Sequence, residues 1–174
     1  MSKGETEDMR SNDAYGRTFG LATARGIALL QIVEHTAPPK EEREVRLMRV
    51  CDGFVEPGAS EEDIRAVLER PERFFLLTAI HVLTKQSRVY RQFFAFDGYY
   101  DVPRSVRLPK YLRGYMVDSQ GNVRWYRRRR TGCMRLYVRV LTKGFLRLSP
   151  DSVWSLPDLR EFLEAGKRIE DYRR

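Results

Sequence analysis

The stretch RFFLLTAIHVLTKQSRVYRQFFAFDGYY, residues 73–100, decides the fold. It is apolar almost all round, so it fits either a buried helix or two central strands, and periodicity alone does not separate them. Composition favours strands. Thr78, Ile80, Val82 and Thr84 are β-branched at every second position, and Val89, Arg91, Phe93 and Ala95 alternate against Tyr90, Gln92, Phe94 and Phe96. Such side chains suit a pleated, half-buried surface. A buried helix stays the alternative for 73–96, and DGYYDVP closes the run as a turn-rich loop.

The flanking segments agree with a sheet. Upstream, IALLQIVE (27–34) is short, apolar and β-branched, and the pair Pro38-Pro39 lies in the connection to EVRLMRVC (44–51). In that second segment Val45, Leu47 and Cys51 fall at even spacing while Arg46 points elsewhere. SEEDIRAVLERP (60–71) reads as a short helix. Ser60 supplies the hydroxyl cap, three carboxylates occupy the first turn, and Ile64, Val67 and Leu68 repeat at helical spacing before Pro71 ends it.

Downstream, YMVD-SQGN-VRWY (115–126) predicts a hairpin whose turn is Ser119 to Asn122. CMRLYVRVL (133–141) predicts a strand with one packed face, Met134, Leu136, Val138 and Val140, and one polar face, Arg135, Tyr137 and Arg139. From Ser155 a C-terminal helix runs through SLPDLREFLEAGKRIEDYRR. Pro157 and Asp158 stand in its first turn, and Leu159, Phe162, Leu163, Gly166 and Ile169 form its packing stripe.

With 174 residues, 42% of them hydrophobic, the chain supports one core. The expected fold is α+β: a single compact domain, mainly antiparallel sheet, with one short internal helix and a C-terminal helix. Residues 1–20, which mix acids and bases with little apolar content, are expected to be a mobile N-terminal segment, and 21–174 the globular domain. No apolar run has the length of a membrane span, and the first residues lack the apolar stretch of a secretion signal. A soluble, intracellular protein is expected, with any membrane contact peripheral.

Charge is distributed unevenly. Residues 1–75 carry 11 Lys and Arg against 15 Asp and Glu, a net of −4, whereas 76–174 carry 21 against 9, a net of +12. Between Lys85 and Arg147 there are 16 basic residues and three acids, Asp97, Asp101 and Asp118. A surface of one sign gathers phosphate-bearing partners, whether nucleic acid or anionic lipid. The densest run is Arg124-Trp125-Tyr126-Arg127-Arg128-Arg129-Arg130. Guanidinium forks match phosphate, and a neighbouring aromatic ring can stack on a base or sit at a headgroup boundary. Mutual repulsion is expected to keep the four consecutive arginines in solvent. The polyanion-binding candidates are therefore Lys110, Arg113, Arg124, Arg127, Arg128, Arg129, Arg130, Arg135 and Arg139, with Trp125, Tyr126 and Tyr137 as stacking or interface aromatics. Trp125 and Tyr126 alternate along one hairpin arm, so only one of them is expected to face outward.

Catalytic signals are thin. His35 and His81 are the two imidazoles, and no phosphate loop, G-x-S-x-G elbow or H-E-x-x-H pair is present. Cys51 and Cys133 lack metal-ligand spacing and read as buried or half-buried thiols. The expectation is a non-enzyme with no cofactor and no metal. An enzyme acting on a phosphorylated substrate would instead require a deep pocket near Asp97 and His81.

The element order resembles that of the matrix proteins of rhabdoviruses. The likeness is carried by SEEDIRAVLERP, then VYRQFFAFDGYY, LPKYLRGYMVD, the strand CMRLYVRVL, and the tail VW-SLPDLREFLEAGKRIED. It implies a matrix-like domain over 21–174 and a shell protein that self-associates and bridges the viral nucleocapsid, or its RNA, to an anionic membrane during budding. It also implies residence in the host cytoplasm or nucleus and in the virion. The chain departs from animal members of that family: its first 20 residues are not basic, and Ala37-Pro38-Pro39-Lys40 lacks the tyrosine of a P-P-x-Y motif. The competing expectation is an RNA-binding module, viral or ribosome-associated, with no membrane role.

Overall fold

The computed structural model describes residues 15–34, 45–79 and 92–172. Thirteen elements follow in order: β1 (Arg17–Thr23), β2 (Gly26–Ile32), β3 (Val45–Val55), α1 (Glu61–Leu68), β4 (Glu72–Ala79), β5 (Phe94–Tyr99), β6 (Tyr111–Val117), β7 (Val123–Arg129), β8 (Arg135–Tyr137), α2 (Lys143–Leu146), β9 (Ser149–Pro150), α3 (Leu156–Glu164) and a 3-10 turn, Ile169–Asp171. The fold is α+β in a single compact domain, built from two sheets.

The first sheet is antiparallel, in the order β4-β3-β2-β1-β5. Because side chains alternate across a strand, a sheet covered on both faces needs apolar residues at odd and even positions alike. The runs IALLQI and VRLMRVC supply them. On one face Ile27, Leu29, Cys51 and Val55 pack against Ile64, Val67 and Leu68 of α1. On the other, Phe19, Leu30, Met48, Val50, Phe74 and Leu76 pack against Trp154 and against Leu159, Phe162 and Leu163 of α3. The strand reading of 73–79 holds as β4 and that of 94–96 falls in β5, while 80–91, with His81, lie outside the described residues.

Both long-range helices begin where their caps dictate. Ser60 accepts from the Asp63 amide and Asp63 answers to the Ser60 amide, a reciprocal capping box; Ser155 accepts from Asp158 N–H, with Pro157 at the second helical position. The C-terminal helix ends earlier than expected. Gly166 takes φ 63°, a left-handed conformation that terminates the helix after Glu164, and Ile169 reaches the core from the 3-10 turn.

Arg49 and Gln31, buried in the first sheet, are tied together and to the backbone. Arg49 lies fully buried beneath the end of α1, donating from Nε to Gln31 Oε1 (2.9 Å) and from Nη2 to the Leu68 carbonyl (2.8 Å). Its charge thus meets the negative end of the helix. Gln31 passes the connection on to the Tyr100 carbonyl at 2.9 Å. Arg46, which the alternation set apart from the apolar positions, is also buried, opposite Thr78 in the β3–β4 register. Burial pushes the Cys51 thiol up to about 11, so it stays protonated at neutral pH.

Three expectations are corrected by the fold. Arg17 to Gly20, placed in the mobile segment, are buried in β1; residues 1–14 lie outside the described residues. Cys133 is exposed, not buried. The strand 133–141 shrinks to the three residues of β8, and its supposed packed face is open: Met134 is 75% exposed, Leu136 45% and Val140 70%. Among the described residues no strand pairs with that edge of the sheet.

Candidate polyanion interface

The second sheet runs β8-β7-β6-β9, with β6–β7 the expected hairpin and β6–β9 parallel. Its turn is held by Asp118, whose side chain accepts the amides of Gln120 (3.0 Å) and Asn122 (2.9 Å). Those bonds, led by the one from Asn122, hold the Asp118 carboxyl below its ordinary range. β9 joins the sheets: Ser149 Oγ accepts the Phe75 amide at 3.1 Å, and the Trp154 amide donates to the Leu77 carbonyl at 3.0 Å.

Strand parity divides the arginine tetrad. Arg128 and Arg130 are half-buried and paired with acids. Arg128 grips Asp151 with two nitrogens, Nε at 2.5 Å, while its Nη1 donates to the carbonyls of Arg130 and Gly132, each at 3.1 Å. The same carboxylate accepts the Tyr126 hydroxyl at 3.1 Å. Burial, and then the negative charge of Asp151, raise the Tyr126 pKa. Tyr126 reaches across β6 because residue 114 is glycine: a Cβ there would stand 2.5 Å from the phenol. Arg130 pairs with Glu34, just beyond β2, and so ties the second sheet to the first.

Arg127 and Arg129 point the other way and are exposed. Arg127 lies 5.0 Å above the Tyr111 ring, and the Lys110 ammonium lies 5.6 Å from the same ring. Arg129 stands opposite Tyr111 in the β6–β7 register. An aromatic face shared by two cations holds them near each other without neutralising either.

The remaining candidates separate similarly. Arg113 is corrected to an internal residue: its guanidinium is buried, donating to the carbonyls of Leu148 (2.9 Å) and Ile169 (2.6 Å). Arg124 is exposed with Nε 3.4 Å from Asp118, a contact worth little in solvent. Arg135 is exposed and lies 5.0 Å over Tyr126, and Arg139 is exposed beyond β8. Among the aromatics, Tyr126 is buried and Trp125 is half-buried between Tyr115 (5.4 Å) and Phe145 (6.1 Å). Neither projects freely. Tyr137 does, at 58% exposed, with its hydroxyl 3.5 Å from Met116 Sδ.

The expectation that repulsion keeps all four tetrad arginines in solvent is therefore corrected for two of them. Asp151 and Glu34 lie 23 and 96 residues away in sequence from the arginines they pair with, so nothing local to the tetrad announced them. The outward set is Lys110, Arg124, Arg127, Arg129, Arg135 and Arg139. Tyr111, which gathers two cations, carried no signal beyond its aromatic character.

Elsewhere, Asp97 is engaged by Arg17 through two hydrogen bonds of 2.9 and 2.5 Å, a contact that raises the arginine's pKa. Among the described residues, no three His, Cys, Asp or Glu side chains gather at metal-binding distance, and no helix is long and apolar enough to cross a membrane. The chain matches no family model, no curated protein and no solved structure.

Proposed function

We propose that the protein is a non-catalytic, polyanion-binding assembly protein of the matrix type, whose second sheet meets phosphate-bearing partners. In this role it self-associates and bridges ribonucleoprotein to an anionic membrane, without cofactor, in the cytoplasm of an infected cell and in the virion. The observation that carries the reading is the outward set of cations. From Arg104 to Arg147 the chain holds thirteen basic residues and one acid, Asp118, and Lys110, Arg124, Arg127, Arg129, Arg135 and Arg139 lie exposed on or beside the second sheet. Self-association is supported by β8, an edge strand with Leu136 exposed in it and Met134 and Val140 exposed beside it; such an edge is a template for pairing with another chain.

Sedimentation with anionic vesicles, with and without competing RNA across a salt series, tests the reading. Pelleting at low salt, released by RNA and by rising salt, is the expected result. A chain that neither pellets with vesicles nor binds RNA at low salt refutes it. Binding to RNA alone favours the module without a membrane role, for which the exposed Tyr137 beside Arg139 is the supporting observation.

A further inference from the structure

β8 pairs with β7 only as far as Tyr137, and one further bond, from the Val138 amide to the Trp125 carbonyl at 2.9 Å, marks the last point at which the two runs touch. Beyond it a groove of about 560 Å³ opens, lined by Val123, Arg124 and Trp125 on one side and Tyr137, Arg139 and Leu141 on the other. That size lies within the ordinary range for small-ligand sites. Its chemistry is mixed in a specific way. Valine and leucine supply apolar walls, the indole and the phenol supply ring surfaces, and one exposed guanidinium stands on each side.

We infer that this groove seats unpaired nucleotides of a single-stranded nucleic acid, with a base stacked on Tyr137 and the flanking phosphates on Arg124 and Arg139. The inference rests on the polyanion reading and narrows it to one ligand class. Tyr137 is fit for stacking because it is exposed yet oriented: it makes a T-shaped contact with Tyr126 at 6.5 Å and its hydroxyl meets Met116. A ring already held in place loses little freedom when a base covers it. Trp125 contributes the wall and not the platform, since Tyr115 and Phe145 already flank it. Arg124 meets Asp118 at 3.4 Å, an exposed contact easily exchanged for a phosphate. A duplex has its bases stacked inside and offers the ring nothing, whereas every unpaired base has a free face.

The test compares ligands on the full chain by fluorescence anisotropy. The probes are oligouridylate of about twelve nucleotides, within the range of single-strand site sizes, inorganic polyphosphate of equal charge, and phosphatidylserine vesicles. Tyr137→Ala is expected to weaken oligouridylate binding roughly tenfold and to leave polyphosphate and vesicle binding unchanged, while Tyr137→Phe retains wild-type affinity. Because the side chain is exposed, neither change threatens the fold. Wild-type oligouridylate affinity in Tyr137→Ala overturns the inference, as does an equal loss for polyphosphate. A loss confined to vesicles also overturns it, in favour of a headgroup contact. If the wild-type chain binds none of the three probes, it is the polyanion reading beneath the inference that fails.

Discussion

The two sheets share antiparallel geometry and differ in what covers them. The first is enclosed between α1 on one face and α3 with Trp154 on the other, so its strands are apolar at odd and even positions alike. The second meets only short elements among the described residues, α2 through Phe145 on Trp125 and the 3-10 turn through the Ile169 carbonyl on Arg113, and keeps arginines on both faces. In the first sheet an arginine is consumed by the structure, as Arg49 is by Gln31 and the end of α1. Within the tetrad of the second, alternation sets Arg128 and Arg130 against acids and leaves Arg127 and Arg129 exposed. A run of identical residues therefore falls into two environments, separated by strand parity.

The sharpest way to break that contrast is to place one charge in each sheet's neighbourhood. Phe162 packs against the rings of Phe74, Trp154 and Tyr172, so Phe162→Asp is expected to abolish soluble expression. Leu136→Asp, at an exposed edge position, is expected to shift stability by less than about 1 kcal/mol in urea denaturation. A folded Phe162→Asp or an unfolded Leu136→Asp would undo the distinction. Next in size, Arg49→Met leaves the Gln31 and Leu68 oxygens unpaired and is expected to cost about 3 kcal/mol with no change in polyanion affinity.

Within the tetrad the effects should separate. Arg128→Ser strips Asp151 of its cationic partner and is expected to cost about 2 kcal/mol of stability, whereas Arg127→Ser should cost under about 0.5 kcal/mol and weaken polyanion binding. Equal destabilisation by both would show that parity does not sort them. The smallest effect concerns the thiols. Cys133 should react with an aromatic disulfide reagent in the native chain at neutral pH, while Cys51, buried and protonated, reacts only after unfolding. Two fast thiols in the native chain would place Cys51 outside the core.

Much of the first sheet was legible. Helix starts follow from Ser60 and Ser155, because a cap is a local signal, and β2 and β3 follow from dense branched residues. The second sheet was legible as a hairpin and misread as a surface. MRLYVRVL alternates like a packed strand, yet Met134, Leu136 and Val140 face solvent, since alternation states which residues share a face and not what lies opposite. Arg113 looked like its neighbours in charge, and only the chain's return through Leu148 and Ile169 makes it internal. Parity was available for the tetrad once β7 was assigned; its acidic partners were not, being distant in sequence.

The salt dependence of oligouridylate binding, compared between wild type, the Arg127→Ser/Arg129→Ser variant and Arg130→Ser, tests the division of the tetrad most directly. Each lost phosphate contact lowers the slope of log K against log salt by about 0.7 for a single strand, so the outward pair should lower it by about 1.4. Arg130→Ser, whose guanidinium is already held by Glu34, should leave it unchanged. A slope that falls on removing Arg130 and stays constant without Arg127 and Arg129 would contradict the assignment of the outward pair to phosphate.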